Sequence, residues 1–80
     1  MRIRYFAGAA EAAGVAEETI ASDFDVTVAE LIEQLSGDRE RLAKVLAVST
    51  LLVDGQAARA RTELVPAGAQ VHVLPPFAGG

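Results

Sequence analysis

Eighty residues with 11 Asp+Glu against 7 Lys+Arg carry a formal net charge of −4, a balance that argues against a phosphate-backbone ligand and fits a partner whose docking surface is basic. The chain has no cysteine, which excludes a disulfide framework, a thiolate nucleophile and cysteine metal sites. A hydrophobic fraction of 51% with 22% charged residues is the composition of one small globular domain, and a domain of this size buries only about 60–65% of its unfolded surface. No run reaches the roughly 18 apolar residues of a membrane span, and residues 1–6 read as a strand and not as a signal peptide, so a cytoplasmic location is expected.

The first expected strand covers residues 3–6, with Ile3 and Tyr5 on one face and Arg4 and Phe6 on the other. Gly8 breaks it, and residues 9–13 form an alanine-rich turn of helix stopped by Gly14. A second strand over residues 17–21 rests on the β propensity of Thr19 and Ile20. Thr27-Val28-Ala29-Glu30 is a capping box, and Val28, Leu31, Ile32 and Leu35 then fall at i, i+3, i+4 and i+7 on one helical stripe. Gly37 ends that helix, and Asp38 is placed to cap a shorter one that carries Leu42, Val45 and Leu46 at the same spacing.

Residues 50–53 are an apolar run leading into the hairpin signal Asp54-Gly55. Residues 56–63 are polar and ambiguous, Pro66-Ala67-Gly68 marks a turn, and residues 70–74 form the last strand with Val71 and Val73 inward. The order is β-β-α-(α)-β-β-β, an α+β chain with one main helix packed across a mixed sheet and a short second helix. The helix stripe is expected to pack on Ile3, Tyr5, Val71 and Val73. No linker or repeat divides the chain, so residues 1–80 read as a single domain, with residues 75–80 as an extended C-terminal tail.

That tail, Pro75-Pro76-Phe77-Ala78-Gly79-Gly80, is a chemical handle whose one reactive group is an α-carboxylate. Gly79 and Gly80 carry no Cβ and can enter a channel that any side chain would block. Six extended residues reach about 20 Å, and Pro75 and Pro76 restrict the start of the tail to extended geometry, although they also serve to end the sheet. Phe77 reads as a partner contact. Phe6 and Leu74 are expected on the sheet face away from the helix, as a small apolar patch that is either ordinary surface or a docking site. His72, the single histidine, has no motif around it and reads as a surface residue. Asp23 and Asp25 flank Phe24 as loop and cap residues, and Glu17, Glu18 and residues 38–40 read as solvated charge. The sequence holds no Ser/His/Asp arrangement, no phosphate loop and no metal-ligand spacing; catalysis by this chain alone is not expected.

The element order, the opening Arg4-Tyr5-Phe6-Ala7-Gly8 and the closing run from Val71 through Pro75-Pro76 to Gly79-Gly80 resemble a MoaD-type sulfur carrier, the small subunit of molybdopterin synthase in the MoaD/ThiS ubiquitin-like family. The resemblance spans the chain in element order and is specific at its two ends; the double proline is similar to MoaD and is typically lacking in the thiamine carrier ThiS. It implies a ubiquitin-like β-grasp fold. It also implies an E1-like adenylyltransferase that uses ATP to adenylate the Gly80 carboxylate, and a sulfur donor that displaces AMP and leaves a C-terminal thiocarboxylate. The tail from Pro75 to Gly80 would then thread into a MoaE-like large subunit, in a heterotetramer, where sulfur passes to a cyclic pterin to build the dithiolene of molybdopterin. Phe6, Leu74 and Phe77 would be the partner-binding residues, with no bound cofactor, no nucleic acid and no membrane. A sister carrier for thiamine, cysteine or tRNA thiolation, a protein modifier conjugated to lysines, and a plain β-grasp interaction module stay open, because fold does not imply function.

Overall fold

A computed structural model describes residues 1–76. The chain runs β1 (Arg2–Tyr5), α1 (Gly8–Ala13), β2 (Glu17–Thr19), β3 (Val26–Thr27), α2 (Val28–Ser36), α3 (Glu40–Val48), β4 (Thr50–Val53), β5 (Gln56–Ala57), β6 (Leu64–Val65) and β7 (Gln70–Leu74). Five strands form one mixed sheet in the order β2-β1-β7-β4-β5, and β3 pairs with β6 as a separate ribbon. β1 and β7 lie parallel at the centre with Ile3 opposite Val71 and Tyr5 opposite Val73, while β2, β4 and β5 add antiparallel.

Period-two alternation decides the two faces of the sheet. Ile3, Tyr5, Leu51, Val71 and Val73 point to one side and are buried there against Val28, Leu31 and Leu35 of α2 and Leu42 and Leu46 of α3, with Ile32 and Val45 partly buried at the margin. The stripe read from the sequence therefore meets the strand residues assigned to it. The capping box is formed: Glu30 N donates to Thr27 Oγ1 at 3.1 Å and Thr27 N donates to Glu30 Oε1 at 2.8 Å, which holds the exposed Glu30 carboxyl below its usual range. Asp54 and Gly55 both take positive φ, 49° and 85°, the backbone that a tight hairpin turn requires. Asp54 Oδ1 then accepts from Gln70 N at 2.9 Å and ties the turn to β7.

Five details depart from the sequence reading. The second helix is not the shorter one: α3, like α2, has nine residues. β1 ends at Tyr5, although Phe6 N still donates to Val73 O at 3.2 Å, and β2 ends at Thr19, where its partner strand runs out and Ile20 and Met1 exchange two bonds, Ile20 N to Met1 O at 2.8 Å and Met1 N to Ile20 O at 3.0 Å. The β3–β6 ribbon has no counterpart in that reading; Val26 pairs with Val65 and Thr27 with Leu64. Asp38 does not cap α3. The cap position is Arg39, with no side-chain cap bond, and its N–H goes to Ser36 O at 2.7 Å. Glu18 is not solvated charge, because the Arg39 guanidinium is drawn onto it.

That ion pair has a built setting. Arg39 Nη2 and Nη1 reach Glu18 Oε1 and Oε2 at 3.0 and 3.3 Å, and the same guanidinium donates to Leu35 O at 2.6 Å and Ala13 O at 3.2 Å. The Tyr5 hydroxyl donates to Glu18 Oε1 at 3.0 Å. Hydrogen bonding from Arg39 lowers the Glu18 carboxyl, and burial followed by the Glu18 bond pushes the Tyr5 phenol well above its ordinary value. One cluster thus joins β1, β2, α1, α2 and the start of α3.

Candidate functional site

The C-terminal tail springs from the middle of the sheet. β7 is flanked by β1 and β4, and its last residue, Leu74, lies opposite Thr50. Pro75 is buried, and Pro76 is exposed and sits in a turn. The tail therefore does not begin as one straight extended run; the fixed φ of proline fits a turn as well as an extended segment. Phe77, Ala78, Gly79 and Gly80 lie outside the described residues.

Beside the root of the tail is the face of the sheet that looks away from the helices. Strand alternation puts Arg4, His72 and Leu52 in one cross-strand row, and Leu74 beside Thr50 in the next. Phe6, just beyond β1, donates its N–H to Val73 O at 3.2 Å, and its ring meets the His72 imidazole edge-on at a centroid distance of 5.3 Å and 63°. The Arg4 guanidinium lies 5.4 Å from the centre of the Phe6 ring, a cation–π distance. Phe6, Leu52, His72 and Leu74 are all half-buried. Phe6 and Leu74 thus occupy the expected face, and they have two companions that sequence reasoning passed over. Leu52 was signalled by its place next to inward Leu51; His72 is a packing partner of Phe6 and not an isolated surface residue.

Toward the other end of the same face, Arg2, Arg4, Glu17, Gln70 and His72 surround a polar dimple of about 70 Å³, far below the several hundred Å³ of a cofactor site. No group of three or more His, Asp or Glu side chains among the described residues is placed to hold a metal ion. No helix among them is long and apolar enough to cross a membrane. Phe24, 77% exposed, stands in the loop between β2 and β3. Asp25 beside it is a loop residue whose Oδ1 accepts from Ala67 N at 3.1 Å.

The profile of the ThiS family matches residues 3–80. The chain belongs to the ThiS family. Among solved structures it is similar to SAMP1 from Haloferax volcanii, at 31% identity and a TM-score of 0.80, covering 100% of this chain and 98% of that one. It is also similar to a Pyrococcus furiosus protein assigned as molybdopterin converting factor, subunit 1, at 28% identity and a TM-score of 0.79 over 94% of both chains. A second structure of the Haloferax small archaeal modifier protein 1 agrees at 30% identity and 0.78, covering 95% of each chain. No curated protein matches the sequence. These likenesses make the fold a ubiquitin-like β-grasp and put this ThiS-family member among the small sulfur carriers and ubiquitin-like modifiers.

Proposed function

We propose that the chain is the sulfur-carrier subunit of a molybdopterin synthase, loaded and unloaded at Gly80. The observation that carries this reading is the family match, which extends through the terminal glycines at residues 79 and 80; the double proline and the likeness to the Pyrococcus furiosus protein assigned as molybdopterin converting factor, subunit 1, support the choice of pathway. The chemistry needs an activating enzyme, since a carboxylate is a poor electrophile. The Gly80 carboxylate attacks the α-phosphorus of ATP and pyrophosphate leaves. Sulfide-level sulfur (HS⁻) then attacks the acyl carbon, the acyl–phosphate bond breaks, AMP leaves, and loss of the S–H proton gives the thiocarboxylate. Sulfur delivered as a protein persulfide would first give an acyl disulfide, which a second thiol must reduce to release it. A thiocarboxylate is ionised and soft at neutral pH, suited to attack on a pterin precursor inside a MoaE-like large subunit. Phe6, Leu52, His72 and Leu74 form the docking face at the root of the tail, with Phe77 as a further contact.

A second reading is favoured by the 31% identity to SAMP1 over the whole chain: the activated Gly80 acyl group would pass to a lysine amine as a protein modifier. One set of measurements separates the two. Incubation with the cognate activating enzyme, ATP and a sulfur donor is expected to exchange one oxygen for sulfur in the intact mass. The loaded chain should then support dithiolene formation in a reconstituted synthase, and deletion of Gly80 should abolish both, because a displaced reacting atom costs about 100-fold in rate. Loading without dithiolene formation, together with isopeptide adducts on other proteins, would favour the modifier. Dithiolene formation by the chain without Gly80 would sink the sulfur-carrier reading and leave the plain interaction module in its place.

A further inference from the structure

The main chain at Phe6 is held from both sides. Its N–H donates to Val73 O at 3.2 Å, and its carbonyl accepts from Ala9 N at 3.0 Å at the start of α1. The second bond closes a four-residue turn in which Ala7 takes φ 48° and ψ −126°, the geometry of a primed turn. The backbone of Phe6 therefore has one path. Its ring is a separate matter, because a phenylalanine side chain still chooses among staggered χ1 wells. Phe6 belongs neither to the buried core nor to the side chains packed on it, so core packing does not make that choice.

Two neighbours from different strands do. Arg4 and Phe6 are two residues apart and share the open face of the sheet, and Arg4 lies opposite His72 on β7. The His72 imidazole meets the Phe6 ring edge-on, at 5.3 Å between centroids and 63° between planes, a favoured aromatic arrangement. The Arg4 guanidinium stands over the same ring, 5.4 Å from its centre, within cation–π range. One contact bears on the face of the ring and the other meets it at an edge.

We infer that Arg4 and His72 are positioning residues for Phe6, which fix its ring in the free chain before a partner arrives. The inference rests on the docking face proposed above. An aromatic anchor that settles into one rotamer only on docking loses conformational entropy at that moment, whereas a clamped ring has already lost it. The clamp therefore acts on affinity and leaves the acyl chemistry at Gly80 alone. His72 acts through Phe6, as neither base nor ligand.

The test is a double-mutant cycle on sulfur loading of the full chain by its cognate activating enzyme. His72→Ala is expected to raise KM for the chain about two- to tenfold with kcat unchanged, and Arg4→Ala should act in the same direction. His72→Phe keeps an aromatic ring at that position and should restore the native KM. In a Phe6→Ala background, His72→Ala should have no further effect, since nothing is left to position. A circular dichroism melt checks that each variant folds. A partner-free measurement runs beside the kinetics: in NMR spectra of the free chain, the His72 ring protons should move on Phe6→Leu. Phe6→Ala without effect on KM would overturn the docking face and the positioning role with it. A raised KM in Phe6→Ala would leave the face standing. The positioning role alone would then be overturned by an unchanged KM in His72→Ala, by Phe6 and His72 effects that simply add, by no rescue in His72→Phe, or by His72 ring protons that ignore Phe6→Leu.

Discussion

At the scale of single residues, Glu18 makes stability depend on pH. Its carboxyl is lowered by the Arg39 hydrogen bonds, so its contribution is present above the ordinary glutamate range and is lost as pH falls through the lowered value. Tyr5 works in the other direction: with its phenol raised, its contribution holds below the ordinary tyrosine range and fades as pH rises beyond about 10. Urea midpoints of the native chain and Glu18→Gln should differ most near neutrality and converge in acid; a constant difference would mean that the pair carries no linkage. Ala7 offers a second test. It takes φ 48° and ψ −126°, nearly the conformation of Gly37 at 47° and −123°. An L-residue there stores roughly 1–3 kcal/mol, against about 0.4–1 kcal/mol of extra unfolded-state entropy for glycine. Ala7→Gly, at an exposed position, should therefore raise stability by about 1 kcal/mol in chemical denaturation, and a loss would show that the backbone relaxes around the alanine.

At the scale of elements, α2 holds the fold together because its stripe is the half of the core that the sheet lacks. Leu31 is fully buried among strand and helix residues, and Leu31→Ala should cost about 2–5 kcal/mol in urea unfolding; a cost under about 1 kcal/mol would mean that the site collapses around the missing atoms. This helix is legible in the sequence, since Thr27 and Glu30 cap it locally and its apolar spacing fits one period. β4, the Asp54-Gly55 turn and β7 are legible for the same reason: alternation and turn chemistry are local. The β3–β6 ribbon is not, because two-residue strands such as Val26–Thr27 and Leu64–Val65 have no periodicity to read and exist through pairing with a distant segment. The start of α3 is misplaced by local rules because Arg39 is committed to Glu18, 21 residues away in the chain, a contact that no local rule contains.

At the scale of the whole molecule, the buried core runs from residue 3 to residue 73 among the described residues, so removal of Gly80 should leave the melting temperature unchanged while abolishing sulfur loading. A lowered melting temperature would show that the terminus contributes to the fold. Of the candidate site, sequence reasoning puts Phe6 and Leu74 on the sheet face where the structure has them, because strand alternation is local; residues 77–80 of the tail lie outside the described residues. It misses Leu52, which strand parity puts on that same face.

The central position of β7 has a mechanical consequence. β7 is bonded along its length to parallel β1 on one side and to antiparallel β4 on the other. Tension applied to the tail travels along the axis of β7 and loads both ladders in shear, so that many bonds share the force and none peels off first. On the proposed reading, a partner that pulled on the last residues would leave the body behind intact.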